Sequence, residues 1–122
     1  MMINVILVDD ETDLFPLFNV KFKREIRNNE IKFNFFTSAR DVLDFIESSD
    51  GEAFNYILSD INMPDMNGLE LLDAIKKRNE KQKVLIISSY KSETYNVKAK
   101  RLGADGFLEK PIDFNTLKGL IL

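Results

Sequence analysis

Short apolar runs alternate with amphipathic stretches along the whole chain, and this alternation predicts strands followed by helices. The runs predicted to be strands cover residues 4–8, 31–35, 55–59, 84–87 and 106–109. The run at 84–87 is the most hydrophobic and indicates the central strand, whereas 31–35 alternates Ile and Phe with Lys and Asn like an exposed edge strand. Five βα units in alternation predict an α/β doubly wound fold, a parallel sheet with helices on both faces.

Capping residues set the expected helix boundaries. Asp13 is predicted to cap a helix over residues 14–29, with Pro16 in the first turn, where a missing N–H is harmless. Apolar residues recur there at helical spacing, at Leu14, Phe18, Phe22 and Ile26. Further helices are predicted after Ser38 and its box partner Asp41, from Gly68 to residue 78, from Ser92 to a left-handed cap at Gly103, and from Asp113. The last helix stops at Leu122 after barely two turns, so we expect a chain cut from a longer polypeptide or one that finishes unusually early.

Polar residues stand where four of the predicted strands end. Asp9 and Asp10 follow the first strand, Asp60 the third, Ser88 the fourth and Lys110 the fifth. Functional groups of doubly wound sheets gather outside the carboxyl ends of the strands, so these side chains are expected to meet at one edge. Each of them alone also has an ordinary structural explanation: a helix cap for the acids, a turn for the serine and a solvated surface for the lysine.

Together these residue types are suited to phosphoryl transfer onto an aspartate. A carboxylate attacks phosphorus only if its own charge and that of the phosphoryl group are offset, and a divalent cation does this by bridging their oxygens. Asp9, Asp10 and Asp60 supply the acids for such a cation. Ser88 supplies a hydroxyl donor and Lys110 a compact positive charge for the phosphoryl oxygens.

Composition narrows the choice of metal and partner. The 122 residues include neither Cys nor His, so any metal must be held by oxygen, which favours Mg²⁺. With 44% hydrophobic and 30% charged residues, one soluble globular domain is expected, and a net charge of −3 gives no footprint for nucleic acid. The first apolar run stops at Asp9 without a preceding basic region, so neither a signal peptide nor a membrane span is expected, and the predicted location is cytoplasmic.

Four stretches resemble the receiver domains of two-component response regulators, in order and with compatible spacing from Val5 to Leu122. They are Val8-Asp9-Asp10-Glu11, Asp60-Ile61-Asn62-Met63-Pro64-Asp65-Met66-Asn67-Gly68, Ile87-Ser88-Ser89-Tyr90 and Gly103-Ala104-Asp105-Gly106-Phe107-Leu108-Glu109-Lys110-Pro111. The resemblance implies a flavodoxin-like fold with five parallel strands in the order 2-1-3-4-5. It also implies one receiver domain over residues 1–122, with an output domain beyond Leu122 as a further expectation.

The same resemblance implies a role for each residue of the site. Asp60 is expected to be the phosphoacceptor, and Lys110 the lysine that pairs with the phosphoryl group. Ser88 matches the switch hydroxyl and Phe107 the switch aromatic. Mg²⁺, with Mn²⁺ as a substitute, would be held by the side chains of Asp10 and Asp60, by the backbone carbonyl of Asn62 and, through water, by Asp9.

Residues around the phosphoacceptor shape its loops and its exposure to water. Pro64 and Gly68 turn the chain after Asp60, and the resemblance implies a cis bond before Pro111. Ser89 stands where Ala or Gly is usual in the family, and Tyr90 is bulky enough to shield the phosphate. Slow autodephosphorylation is therefore expected, with no enzymatic activity beyond it and the self-catalysed transfer to Asp60.

The absence of His means that the phosphoryl group must arrive from another domain or protein, and the resemblance implies a histidine kinase or a histidine phosphotransfer protein. Phosphorylation is expected to repack the face made by the fourth helix, fifth strand and fifth helix, and so to control an output domain, a downstream protein or a phosphorylation-dependent homodimer. Two alternatives are a small phosphohydrolase of the haloacid dehalogenase kind and a receiver-like interaction module that accepts no phosphate. The first is disfavoured because its nucleophile lies on the first strand in a D-x-D pattern, and the second because the acids and the lysine are all present.

Overall fold

The computed structural model describes residues 2–49, 54–89 and 93–122, and within them the chain forms five strands and six helices. The strands are β1 (Ile3–Val8), β2 (Ile31–Phe36), β3 (Tyr56–Asp60), β4 (Val84–Ser88) and β5 (Gly106–Glu109). The helices are α1 (Leu14–Lys21), α2 (Lys23–Arg27), α3 (Ala39–Ser48), α4 (Gly68–Arg78), α5 (Glu93–Arg101) and α6 (Phe114–Ile121). All the predicted strands are present, with ends that differ from the prediction by a single residue or none.

The strands are all parallel and lie in the order β2-β1-β3-β4-β5, which confirms the predicted topology. The prediction that the run at 84–87 is the central strand was wrong, because β3 occupies the middle position and β4 lies between β3 and β5. Every position of β4 is buried, and so are the last four of β3. Hydrophobicity therefore distinguishes interior strands from edge strands, but not one interior strand from another.

Helices cover both faces of the sheet with separate apolar clusters. On one face α1 and α6 pack against the strands through a cluster that includes Val5, Leu58, Phe18, Phe22 and Leu117. On the other face α3, α4 and α5 pack through a cluster that includes Ile6, Ile57, Val42, Leu72 and Ala99. Consecutive strand residues point to opposite faces, so each interior strand contributes to both clusters. This arrangement leaves the carboxyl ends of the strands as the open edge of the sheet.

The first predicted helix is divided in the structure. A single helix over 14–29 was expected, but α1 and α2 are separated at Phe22, whose backbone angles are φ −105 and ψ 19. The ring of Phe22 is fully buried and lies 4.9 Å from that of Phe33 and 5.9 Å from that of Phe18, measured between centroids. The N–H of Phe22 donates to the carbonyl of Phe18, and the N–H of Ile26 donates to the carbonyl of Phe22, both at 2.9 Å. Hydrogen bonds with α-helical spacing therefore continue across the break. Aromatic packing thus outweighs regular helix geometry at this point.

The predicted caps have different outcomes. Asp13 precedes α1 but makes no capping hydrogen bond with its side chain, so that prediction was wrong; the N–H of Leu14 instead bonds to the carbonyl of Glu11 at 3.2 Å. Ser38 accepts a hydrogen bond from the N–H of Asp41, and Gly103 has the predicted left-handed conformation at φ 96. Asp113 caps α6 by accepting hydrogen bonds from the N–H groups of Asn115 and Thr116, whereas the predicted cap Ser92 lies outside the described residues.

None of the helices in the described part of the chain has the length and apolar character needed to cross a membrane.

Candidate functional site

The predicted site residues meet at the carboxyl edge of the sheet. Asp9 directly follows β1, Asp60 ends β3 and Ser88 ends β4. Lys110 directly follows β5, and its backbone N–H donates to the carbonyl of Ser88 at 2.8 Å. Because β3, β4 and β5 are neighbours in register, these strand ends come together without any contribution from a long loop. The edge predicted from the sequence is therefore the edge at which the groups lie.

Three carboxylates crowd this edge. One oxygen from each of Asp9, Asp10 and Asp60 lies within 4.8 Å of the other two. Asp9 is fully buried and Asp60 is 4% exposed, whereas Asp10 is exposed to solvent. Asp9 Oδ1 accepts the N–H of Glu11 at 2.8 Å, and Asp9 Oδ2 lies 2.8 Å from Lys110 Nζ. Buried carboxylate oxygens with spare acceptor capacity, close to one another and open to solvent on one side, fit a hard divalent cation.

Lys110 neutralises part of this negative charge. Its Nζ lies 2.8 Å from Asp9 Oδ2, 3.3 Å from Glu11 Oε1 and 3.6 Å from Asp60 Oδ1. Burial by itself would lower the pKa of Lys110, but its contacts with Asp9, Asp60 and Glu11 outweigh burial and raise that pKa above its usual value. The lysine is therefore a permanent cation that points at the oxygens of the predicted phosphoacceptor.

Asp60 is poorly stabilised as an anion. Burial, followed by the neighbouring charges of Asp9 and Asp10, raises its pKa to about 6, even though Lys110 acts in the opposite direction. Removal from water is thus the main cause, and the crowded acids add to it. A cation at this edge would offset both effects, so the electrostatics and the donor set agree on the type of ligand the site can hold.

The turn after β3 brings α4 close to the phosphoacceptor position. The N–H of Gly68 donates to the carbonyl of Ile61 at 2.8 Å, and Asp65 has a left-handed conformation with φ 67. A Cβ on Gly68 would lie 2.1 Å from the carbonyl oxygen of Asp60, so no other residue fits there without movement of the backbone. Asn67 and Glu70 then form a reciprocal capping box, which the sequence prediction had missed. Pro64 lies in this turn, and Gly68 is the first residue of α4.

The residues predicted to report phosphorylation lie on β4 and β5. Ser88 is buried at the end of β4, and Phe107 is half-buried on β5, opposite Ile86 and in contact with the core cluster beneath α5. Phe107 also lines a small hollow of about 90 Å³ together with Asn96 and other residues of α5. The peptide bond between Lys110 and Pro111 is cis, as the resemblance implied.

Two residues were predicted to control access to the site, of which one is described by the structure, and a further residue at its rim was missed. Ser89 is exposed directly after β4, whereas Tyr90 lies outside the described residues. Ser89, Lys110 and Glu11 line a groove of about 510 Å³ that continues along α1. Sequence reasoning gave no role to Glu11, although its position directly after two acids was a signal that it shares their edge. Asn62 is exposed in the turn, and its carbonyl remains only a predicted ligand.

The fold and the site together define an open α/β domain with clustered acids and a lysine at the carboxyl edge of its parallel sheet. The family model for the response regulator receiver domain matches residues 5–122. The chain therefore belongs to the response regulator receiver domain family, as the sequence motifs had indicated.

Relatives of known name are similar over nearly the whole chain. It is 32% identical over 116 residues to the response regulator protein PilR of Pseudomonas aeruginosa. It is 34% identical over 118 residues to the DNA-binding transcriptional regulator NtrC of Proteus hauseri. These alignments cover 95% and 97% of this chain but 24% of each relative, so the chain spans about a quarter of their length.

Solved structures confirm the fold. A CheY-like receiver domain protein from Methanospirillum hungatei superposes with a TM-score of 0.85 and 28% identity, over 99% of this chain and 91% of that one. The chemotaxis protein CheY4 of Vibrio cholerae superposes with a TM-score of 0.81 over the full length of both chains, and at 24% identity this likeness concerns the fold alone.

Proposed function

We propose that this domain accepts a phosphoryl group on Asp60 in a Mg²⁺-dependent reaction and acts as a signalling switch. The observation that carries the proposal is the contact of a permanent cation, Lys110, with the buried acids Asp9 and Asp60 at a solvent-facing sheet edge. This arrangement is costly for a purely structural salt bridge, because burial and the charge of Asp9 raise the pKa of Asp60. Membership of the receiver family supports the same role.

Each residue has a part in the transfer. An oxygen of Asp60 forms the new bond to phosphorus as the bond from phosphorus to the donor atom breaks and that atom keeps the electron pair, while Lys110 pairs with a phosphoryl oxygen and offsets its charge. Mg²⁺ would be held by Asp10 and Asp60, by the carbonyl of Asn62 and by Asp9 through water, and it supplies charge neutralisation between carboxylate and phosphoryl oxygens.

The readout proceeds through β4 and β5. In the proposed mechanism the hydroxyl of Ser88 donates to a phosphoryl oxygen, and Phe107 moves into the space behind it. Such movement would repack the face made by β5 and the fourth and fifth predicted helices, which are α5 and α6 in the structure. This face then binds an output domain, a downstream protein or a second copy. The donor is a histidine kinase or a histidine phosphotransfer protein in the cytoplasm.

A longer protein is consistent with this role. The named relatives extend well beyond the aligned region, and NtrC is described as DNA-binding. We propose that residues 1–122 form the receiver part of such a protein, whose output is controlled by phosphorylation of Asp60. The domain itself has no proposed enzymatic activity apart from self-catalysed transfer and slow loss of the phosphoryl group.

Phosphorylation by a small donor tests the proposal directly. The protein is incubated with acetyl phosphate and Mg²⁺, and intact mass is followed with time. We expect a gain of one phosphoryl group, abolished by EDTA and by Asp60→Asn, but unaffected by Asp44→Asn, which removes the same charge from an exposed position on α3. An unchanged mass for the wild type, or an equal gain in Asp60→Asn, would contradict the assignment.

A further inference from the structure

Glu11 is an acid of the site that the proposed transfer does not use. Its carboxylate lies 3.3 Å from Lys110 Nζ, and its side chain is 70% exposed, in contrast to Asp9 and Asp60, which contact the same ammonium group and are buried. The backbone N–H of Glu11 is held by Asp9 Oδ1, so the residue is fixed at the rim rather than carried on a mobile loop. Lys110 thus pairs with two buried carboxylates and with the exposed carboxylate of Glu11.

Glu11 lies close to Asp60 because both contact Lys110, whose Nζ is 3.3 Å from Glu11 Oε1 and 3.6 Å from Asp60 Oδ1. Glu11, Ser89 and Lys110 also line a groove of about 510 Å³. A phosphodonor that reaches Lys110 and Asp60 must therefore bring its phosphoryl group near the carboxylate of Glu11. The repulsion at that point grows with the negative charge of the donor, because the energy is proportional to the product of the two charges.

We propose that Glu11 is a specificity-determining residue that disfavours small, doubly charged phosphodonors relative to phosphoramidate donors of lower charge. The inference rests on the proposed function, since it concerns which donors reach Asp60. A phosphohistidine is itself a phosphoramidate and carries one net negative charge when its imidazole is protonated, so the negative charge of Glu11 favours donors of the chemical class that a histidine-containing protein supplies. Glu11 thereby limits phosphorylation of Asp60 by small anionic metabolites that are not its protein donor.

Two small donors separate the effect of charge from the reaction itself. With acetyl phosphate, which carries two negative charges near neutral pH, the Asp60 oxygen–phosphorus bond forms as the bond to the acetyl oxygen breaks, and acetate leaves with the electron pair. With phosphoramidate, which carries one net negative charge because its nitrogen is protonated, the phosphorus–nitrogen bond breaks and ammonia leaves. Both reactions give the same phospho-Asp60, so only the approach of the donor differs.

The change to test is Glu11→Gln, which removes the charge and keeps the shape of an exposed side chain. A doubly charged donor about 8 Å from Glu11 in a water-like medium is expected to react about three- to fivefold faster in the variant. A singly charged donor gains only the square root of that factor, about twofold. Release of Lys110 from its third carboxylate acts in the same direction, because a freer cation also attracts the doubly charged donor more strongly than the singly charged one.

Intact mass gives the rate constants for both donors at one Mg²⁺ concentration. We expect the ratio of acetyl phosphate to phosphoramidate rates to rise about twofold in Glu11→Gln and to stay at the wild-type value in Glu11→Asp, which keeps the charge. Glu30→Gln is the matched control, since it removes an exposed charge at the opposite edge of the sheet and should leave the ratio unchanged. An unchanged ratio in Glu11→Gln, or the same rise in Glu30→Gln, would overturn this inference while phosphorylation of Asp60 stands; absence of labelling in the wild type would overturn both.

Discussion

Replacement of Asp60 by Asn is expected to stabilise the metal-free protein, even though it removes the residue at the centre of the site. Asp60 is 4% exposed and lies among acids, so its negative charge destabilises the folded state. Asn has nearly the same shape and no charge, and it relieves repulsion from Asp9 and Asp10. Asn also loses the attraction of Lys110 at 3.6 Å. This loss is smaller than the combined effect of burial and repulsion by the neighbouring acids, because the net change in the pKa of Asp60 is upward.

The size of the effect follows from that pKa. Folding raises the pKa of Asp60 from 3.8 to about 6, so the folded state binds its proton more tightly than the unfolded state does. Stability therefore falls as pH rises between those two values, and the full penalty is present above pH 6. At about 1.4 kcal/mol for each tenfold change in proton affinity, the penalty is about 3 kcal/mol, and we expect Asp60→Asn to recover about 1–3 kcal/mol.

Urea denaturation followed by circular dichroism, in EDTA and across a pH series, measures this difference. We expect Asp60→Asn to be more stable than the wild type near pH 7.5 and the two to converge as pH approaches 4. Asp44→Asn, an exposed change of the same charge, should alter stability by no more than a few tenths of a kcal/mol at any of these pH values. Equal or lower stability of Asp60→Asn near pH 7.5, or a gain that does not depend on pH, would refute the electrostatic account of the site.

Two further predictions concern the support of the site. Gly68→Ala should destabilise the protein by more than about 2 kcal/mol in urea denaturation, because the new Cβ would lie 2.1 Å from the carbonyl oxygen of Asp60; an effect below 0.5 kcal/mol would show that the turn adjusts freely. Asp105→Asn should cost about 1–2 kcal/mol near neutral pH, since Asp105 accepts the N–H of Val84 and pairs with Lys76 at 2.9 Å. Burial alone would raise the pKa of Asp105, but these partners lower it, so its contribution is present above the ordinary pKa of aspartate and is lost as pH falls through the lowered value; a cost that does not change with pH would contradict this.

The sheet and its active edge were predictable because both depend on local patterns. Each strand is a short apolar run, and the residue at its end is fixed in space once the strands are parallel. Asp9, Asp60, Ser88 and Lys110 therefore converge through topology alone, without any knowledge of side-chain packing. The motifs of the receiver family then indicated which of these strand-end residues carries the chemistry.

The features that were missed depend on contacts between distant parts of the chain. The division of the first helix arises where Phe22 packs against Phe33 on β2, and the helical stripe itself is unbroken in the sequence. The contact between Glu11 and Lys110 joins residues 99 positions apart, on loops after β1 and β5. Periodicity and capping rules act over about four residues, so they predict neither the division of the first helix nor the pairing of Glu11 with Lys110.

Lys110 also provides a physical link between the site and the face proposed to change. Its Nζ contacts Asp9, Glu11 and Asp60, while its backbone N–H is bonded to the carbonyl of Ser88 at 2.8 Å. It follows β5 directly, three residues after Phe107 on the same short strand. New anionic oxygens on Asp60 would compete with three carboxylates for one ammonium group, so Lys110 must redistribute its contacts when the site is modified. Because the backbone of this residue ties the end of β4 to the end of β5, a shift of the lysine acts on both strands at once, which is the kind of contiguous contact through which two sites are coupled.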